Sequence, residues 1–256
     1  MINYVTFFNT GYTEFTTNNI LNYLQVFEQG KSKLTLVAID EPAYNLIEAA
    51  LQGIAEDYNT ENVILKKDYM YLTGFADFNT KAFIDIMHKK INIILAEVEQ
   101  SDIVHFFDGD VVFFSDPTNI ITSSLEDYDI VFQQDAPYTH HHNQYHNYVC
   151  AGNFSVKNTE GSVEFLKNVI ARLNPGQNDQ EVMYGYLNSC GNSIKDYTQC
   201  KLDAYDQELF QNGFDAFQHD WYTKTNKISI HANHMVGRDA KIGALRRADA
   251  WFNKTI

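Results

Sequence analysis

The chain is short of four things, and each shortage removes a class of protein. It has three cysteines in 256 residues, an odd number without zinc-ribbon spacing, which excludes a disulfide framework and a zinc ribbon. Cys150, Cys190 and Cys200 therefore read as reduced thiols, packed rather than reactive. Proline numbers only 4 and glycine 13, which excludes collagen-like repeats and low-complexity linkers. Positive charge is scarce: 19 Lys and Arg stand against 33 Asp and Glu, for a formal net charge of -14. Without a concentrated basic patch, non-specific binding to nucleic acid or an anionic membrane is excluded as the main role. No apolar run approaches the ~18 residues of a membrane span, and "MINYVTFFNTGYTEF" lacks the basic-then-apolar pattern of a secretory leader. These shortages lead to the expectation of a cytoplasmic protein with no membrane span.

What is present points to one large folded domain. Hydrophobic residues make up 45% of the chain and aromatics 14%, enough for a substantial core at this length. "INYVTFF", "KLTLVAID", "NVIL" and "DIVHFF" read as strands, the runs apolar on both faces. Between them lie helical patterns: "NILNYLQVFEQ", with Ile20, Leu24 and Phe27 on one face; "AYNLIEAALQGIA", entered through Pro42; and a long helix over 78–99, with Phe83, Met87, Ile91, Ile94 and Val98 on one stripe. This alternation predicts an α/β fold with a mostly parallel sheet and helices on both faces. Ligands bind such sheets beyond the carboxyl ends of the strands. The second half is less regular. It predicts strands in "YDIVFQQD", "GNFSV" and "KISIHANH", the last ending at His231. It also predicts a helix with Val163, Leu166, Ile170 and Leu173 inward, another in the exposed first turn of which Asp179 and Gln180 sit behind Asn178, and a terminal helix from "RDAKIGALRRADAWF".

The stretch "VHFFDGDVVFFSDP" carries the chemistry. Buried carboxylates are costly unless paired, yet Asp108 and Asp110 flank Gly109 inside a run of strand formers. Residues two apart on a strand share a face, so two carboxylates would leave the sheet together at its ligand-binding edge. Such an oxygen pair suits Mg²⁺ or Mn²⁺ held jointly with a diphosphate; a plain acidic turn between two strands fits the same letters. A histidine at the end of a late strand, His231, would add a nitrogen donor and lean the site towards Mn²⁺. His234 is the rival ligand. The tract "HHHNQYH" (His140, His141, His142 and His146) reads as an exposed loop near an acceptor, with metal binding as the less favoured reading.

"FFDGDVVFFSDP" resembles the Asp-x-Asp segment of the nucleotide-diphospho-sugar glycosyltransferases of the plant-type arabinosyl-, xylosyl- and galactosyltransferase group. "FFNTGYTEFTTNNILNYLQ", "LVAIDEPAYNLI", "KKINIIL", "DIVFQQDAP", "CAGNFSVKNT", "NDQEVM" and "IHANHMVGRDAKIGAL" match other segments of that family in order, over nearly the whole chain. The resemblance implies a GT-A fold over residues 1–256, with a nucleotide-binding half (1–116) and a sugar and acceptor half (117–256) that carries a smaller irregular sheet.

It also implies roles. Asn9, Thr10, Gly11 and Tyr12 would surround the base and ribose with Asp40 nearby. Asp108, Asp110 and His231 would hold Mn²⁺ or Mg²⁺, with Asp108 and Gly109 also against the donor. Lys241 with the backbone around Gly237 would hold the phosphates, Lys90 would contact the donor, and Ala151, Gly152 and Asn153 would border the sugar. Asp135, Asp179 and Gln180 would line the reacting face. The activity implied is transfer from a nucleotide sugar, a UDP-sugar, to a glycan or glycoprotein acceptor with retention of configuration. A binding protein that kept the fold without turnover is the alternative. A metal-dependent nucleotidyltransferase or phosphohydrolase is less favoured, since no phosphate-binding loop of the GxxxxGK[ST] kind is present.

Overall fold

The computed structural model describes residues 1–70, 74–76, 80–135, 148–191, 194 and 197–253. The histidine tract at 140–146 lies outside them. The first strand, β1 (Ile2–Phe8), buries Tyr4, Val5 and Phe8, as a strand covered on both faces must. It pairs in parallel with β2 (Ser32–Ala38) on one side and β4 (Ile103–Phe107) on the other, and β3 (Val63–Lys67) continues beyond β2. On β4 lies β7 (Val149–Lys157), running the opposite way, followed by β6 (Ile130–Gln134) and β8 (Leu202–Ala204). The order is β3-β2-β1-β4-β7-β6-β8, and β7 is the only reversed strand among those described. A second sheet of three strands joins β5 (Val111–Phe113), β10 (Ser229–His231) and β9 (Phe210–Gln211). This is the expected mixed α/β architecture with a smaller sheet.

Helices cover both faces of the large sheet. On one side α1 (Thr13–Val26), α2 (Glu41–Ile54) and α4 (Thr118–Asp127) bring Ile20, Tyr23, Ile47 and Ile121 against Tyr4 and Leu34. On the other, α3 (Lys81–Val98), α5 (Glu160–Ile170) and α6 (Asp179–Cys190) bring Ile91, Phe165 and Met183 against Val104 and Phe106. A third cluster fastens α8 (Arg238–Arg247) to the small sheet through Leu245, Val112 and Ile230. The short α7 (Gly213–Gln218) precedes β10. No helix among the described residues is long and apolar enough to cross a membrane.

Two expectations shift. Helix α3 starts at Lys81, where Thr80 accepts a hydrogen bond from the Phe83 amide at 3.2 Å, a side-chain cap that begins the helix later than 78. In α5 the fully buried apolar residues are Phe165, Leu166 and Val169, with Val163, Ile170 and, just past the helix, Leu173 at the margin of the core. The helix is rotated because the Phe165 ring packs edge-on against Phe132 and Tyr197, and a large aromatic surface outweighs smaller aliphatic ones.

A candidate metal and donor site at the strand ends

A cleft of about 540 Å³ opens beyond the carboxyl ends of β1 and β4. The acidic pair lies at its floor, but not in a strand as expected. β4 stops at Phe107 and β5 starts at Val111, with the Val111 amide donating to the Asp108 carbonyl at 3.0 Å. The carboxylates converge because of this turn, not because of strand alternation. Three hydrogen bonds hold it from outside: the Asp108 amide to the Gly152 carbonyl at 2.7 Å, the Ala232 amide to the Asp110 carbonyl at 3.0 Å, and Asn19 Nδ2 to the Gly109 carbonyl at 3.0 Å.

Around the turn, ligand atoms of Asp108, Asp110 and His231 all lie within 4.8 Å of one another. His231 Nε2 is 3.2 Å from Asp110 Oδ1 and 4.0 Å from Asp108 Oδ2. Gly152 allows this closeness. A Cβ there would stand 2.2 Å from Asp108 Oδ2 and 2.7 Å from His231 Cε1, so only a hydrogen fits. Lys241 Nζ reaches Asp110 Oδ2 at 2.5 Å, while Lys90 Nζ lies 2.6 Å from Asp179 Oδ2 and 3.6 Å from Asp108 Oδ1. Burial works against the charge on Asp110, but its neighbours, the Lys241 ammonium foremost, hold the carboxyl well below the usual range. Burial likewise opposes the charge on Lys90, and Asp108 and Asp179 more than offset it, keeping that ammonium above the ordinary lysine range.

Two carboxylates and one imidazole form a donor set of hard oxygens and a borderline nitrogen, which fits Mn²⁺ and accommodates Mg²⁺. His234, the alternative ligand, is aimed elsewhere. It sits in the left-handed region at φ 60°, with Nε2 3.4 Å from Asp135 Oδ1.

Asp135 directly follows β6 and is enclosed by partners. Gln180 Nε2 donates to its Oδ2 at 2.7 Å, Asn233 Nδ2 donates to its Oδ1, and Gln180 Oε1 accepts from the Ala151 amide at 3.1 Å. Burial would raise the Asp135 carboxyl, yet hydrogen bonds from His234 and Gln180 keep it below its ordinary value. The expected capping box on α6 is complete, with Asn178 and Glu181 each accepting from the other's amide at 3.0 Å. Its first turn is not exposed, however: Asp179 is 3% accessible, because the helix starts inside the cleft and Asp179 meets Lys90 there.

The Asn9–Tyr12 turn forms the opposite wall. Asn9 and Tyr12 line the cleft, whereas Thr10, Gly11, Asp40 and Asn153 do not. Asp40 spends both carboxylate oxygens on structure: Oδ2 accepts from the Thr10 amide at 2.8 Å, and Oδ1 from Thr10 Oγ1 and the Ala43 amide, both at 2.7 Å. It caps α2 and braces the turn. Asn153 is fully buried within β7. The Tyr12 ring stacks on Phe75 at 5.1 Å and 15°, and burial pushes its hydroxyl up to about 12, with Asp110 and Asp108 adding to the rise and Lys241 opposing it. Gly237, at φ +89°, opens α8 at the cleft's rim.

Sequence reasoning missed Gln133, Asn233 and Asn19. Each is a buried or half-buried amide bonded to a residue already singled out or to its backbone. The signal was present for Gln133 alone, as a polar residue inside the apolar strand "DIVFQQD".

The model of the nucleotide-diphospho-sugar transferase family matches residues 29–245. The chain is 24% identical, over an alignment of 287 residues, to the UDP-galactose:fucoside alpha-3-galactosyltransferase of Dictyostelium discoideum; the match covers 95% of this chain and 42% of that protein. The chain thus spans less than half the length of that relative. Among solved structures it is similar to the galactosyltransferase LgtC in complex with donor and acceptor sugar analogues, at TM-score 0.63 and 12% identity, covering 99% of this chain and 97% of that one. It is also similar to apo GlyE of Streptococcus pneumoniae TIGR4, at TM-score 0.57 and 11% identity, covering 96% and 59%. At such identities the likeness is one of fold, the GT-A arrangement.

Proposed function

Because the chain belongs to the nucleotide-diphospho-sugar transferase family, we propose that its cleft transfers a sugar from a nucleoside diphosphate, a UDP-sugar, to a hydroxyl of a glycan or glycoprotein. The observation that carries this reading is the convergence of Asp108, Asp110 and His231 Nε2 beside Lys241. No single group there suits a protein without a ligand: two acids, an imidazole and an ammonium are gathered where the sheet opens. The galactosyl donor named for the Dictyostelium relative supports UDP as the nucleotide.

Asp108, Asp110 and His231 would hold Mn²⁺ or Mg²⁺. When bound, the cation supplies neutralisation of the diphosphate as its charge develops. Lys241, freed from Asp110 once a cation takes that carboxylate, would add a second positive charge on the same side. Tyr12 and Asn9 border the nucleotide, and Asp40 acts on it only through the turn it braces. On the sugar side, Gly152 and Ala151 leave room, and Lys90 holds Asp179 in place. In the reaction the bond from the anomeric carbon to the diphosphate breaks, the acceptor oxygen bonds to that carbon, and the acceptor's proton leaves with the phosphate. Retention requires entry on the face of departure, or prior capture of the sugar by a carboxylate. Asp135 and Gln180, bonded to each other at 2.7 Å, are the groups proposed to line that face.

Isothermal calorimetry with UDP and with GDP, each with and without Mn²⁺, tests the reading. The expected result is Mn²⁺-dependent binding of UDP that Asp110→Ala abolishes. Equal binding with and without metal, or no binding of either nucleotide, would overturn it.

A further inference from the structure

A histidine can serve a metal only through a nitrogen that carries no proton, and in a neutral imidazole the other nitrogen's partner decides which one that is. His231 faces a choice. Its Nε2 lies 3.2 Å from Asp110 Oδ1, so a proton on Nε2 would make a good hydrogen bond to the carboxylate and close the metal position.

Gln133 is placed to decide the matter. β6 pairs regularly with β7 from Ile130↔Val156 to Phe132↔Phe154, then slips, and Gln134 meets Val149. The slip falls at Gln133, and irregularities of this kind re-aim a side chain out of the ladder's pattern. The residue is fully buried. Its Nε2 donates to the Phe210 carbonyl at 3.3 Å, and the flipped amide would set two oxygens against each other there. The oxygen end is thereby fixed on His231, with Oε1 3.1 Å from Nδ1. An amide oxygen only accepts, so Nδ1 must carry the proton, and Nε2 is left with its lone pair towards the two aspartates. Cys150 Sγ, 3.5 Å from Nδ1, already accepts from the Gly152 amide at 3.4 Å; sulfur is too weak a partner to set the tautomer by itself.

We propose that Gln133 is a positioning residue for the metal site: it holds the proton of His231 on Nδ1 and so keeps Nε2 open as a ligand. This rests on the metal-site reading above. Groups that hydrogen-bond a metal's ligands in this way set its affinity by about 10–100-fold.

A long-range ¹H–¹⁵N correlation spectrum of the metal-free protein, in mildly alkaline buffer where imidazole is neutral, reads the tautomer directly. The proton is expected on His231 Nδ1, and finding it on Nε2 overturns the proposal without any variant being made. Mn²⁺ titration followed by electron paramagnetic resonance supplies the second measurement. Gln133→Leu is expected to weaken Mn²⁺ by about 10–100-fold and to release the His231 proton from Nδ1 in the same spectrum, with circular dichroism confirming the fold. Wild-type affinity in Gln133→Leu, while His231→Ala loses the ion, defeats this inference alone. Undiminished Mn²⁺ binding by His231→Ala defeats the metal site itself.

Discussion

Gly152 shows how much of the site depends on a single missing atom. Adding one methyl would place it 2.2 Å from an oxygen of Asp108 and 2.7 Å from His231, both closer than any real contact. Gly152→Ala is therefore expected to cost about 1–3 kcal/mol of stability, as overpacking does, and to spread the ligand set. Urea unfolding and Mn²⁺ titration of the same variant check both effects. His105 supports a prediction of another kind. It is fully buried, and its Nδ1 lies 2.7 Å from Ser155 Oγ, which itself accepts from the Tyr205 hydroxyl at 2.6 Å. Burial lowers its pKa to about 3, against about 6.5 in an unfolded chain. Between those values the unfolded state binds one more proton than the folded state. Stability must then fall as pH drops below about 6.5, by up to ~1.4 kcal/mol per pH unit from this group, and level off near 3. His105→Phe should remove that share of the slope in urea unfolding measured from pH 7 to 4; an unchanged slope would place the imidazole in contact with water.

At the scale of elements, α1 is a helix that works through its asparagines. Asn18, Asn19 and Asn22 are all buried, although asparagine is a poor helix former. They serve backbone that would otherwise lie unpaired. Asn22 donates to the Phe113 carbonyl at 2.7 Å and accepts from its amide at 2.9 Å, acting as an extra strand along the free edge of β5. Asn18 does the same for Ala250 and Phe252. Asn22→Leu is expected to cost about 1–3 kcal/mol for each backbone group stranded, measured by urea unfolding, and to weaken Mn²⁺ binding because Val111 of β5 directly follows Asp110. The alternation of strand and helix, the sheet edge where the cleft opens and the capping box of α6 were legible because each rests on a local pattern. The helix α4 and the strands β8 and β9 were not. "TNIITSSLED" has two apolar residues buried in ten, and strands of two or three residues cannot display a period. Asp40 and Asp108 looked alike as strand-end acids. What separates them is the Glu-Pro-Ala that follows Asp40, the opening of a helix that needs a cap.

For the whole molecule the governing fact is charge. A chain of formal net charge -14 would have to attract a nucleoside diphosphate, itself an anion, into a cleft already holding Asp108, Asp110, Asp135 and Asp179. Attraction at long range is therefore of the wrong sign, and binding must come from cations fixed inside the cleft. Lys241 is one, yet its ammonium is spent on Asp110 at 2.5 Å. A divalent ion taking Asp110 would free that lysine to meet a phosphate, so the two cations are coupled through one carboxylate. Lys241→Met separates their contributions. Mn²⁺ alone should bind as well as in the wild type, or more tightly, because a competing positive charge has left. UDP in the presence of saturating Mn²⁺ should bind about 10–100-fold more weakly, the equivalent of one charged hydrogen bond. Two calorimetric titrations on one variant decide it. If both affinities fall together, Lys241 serves to hold Asp110 in place rather than to meet the diphosphate, and the positive charge on the leaving group must come from elsewhere in the cleft.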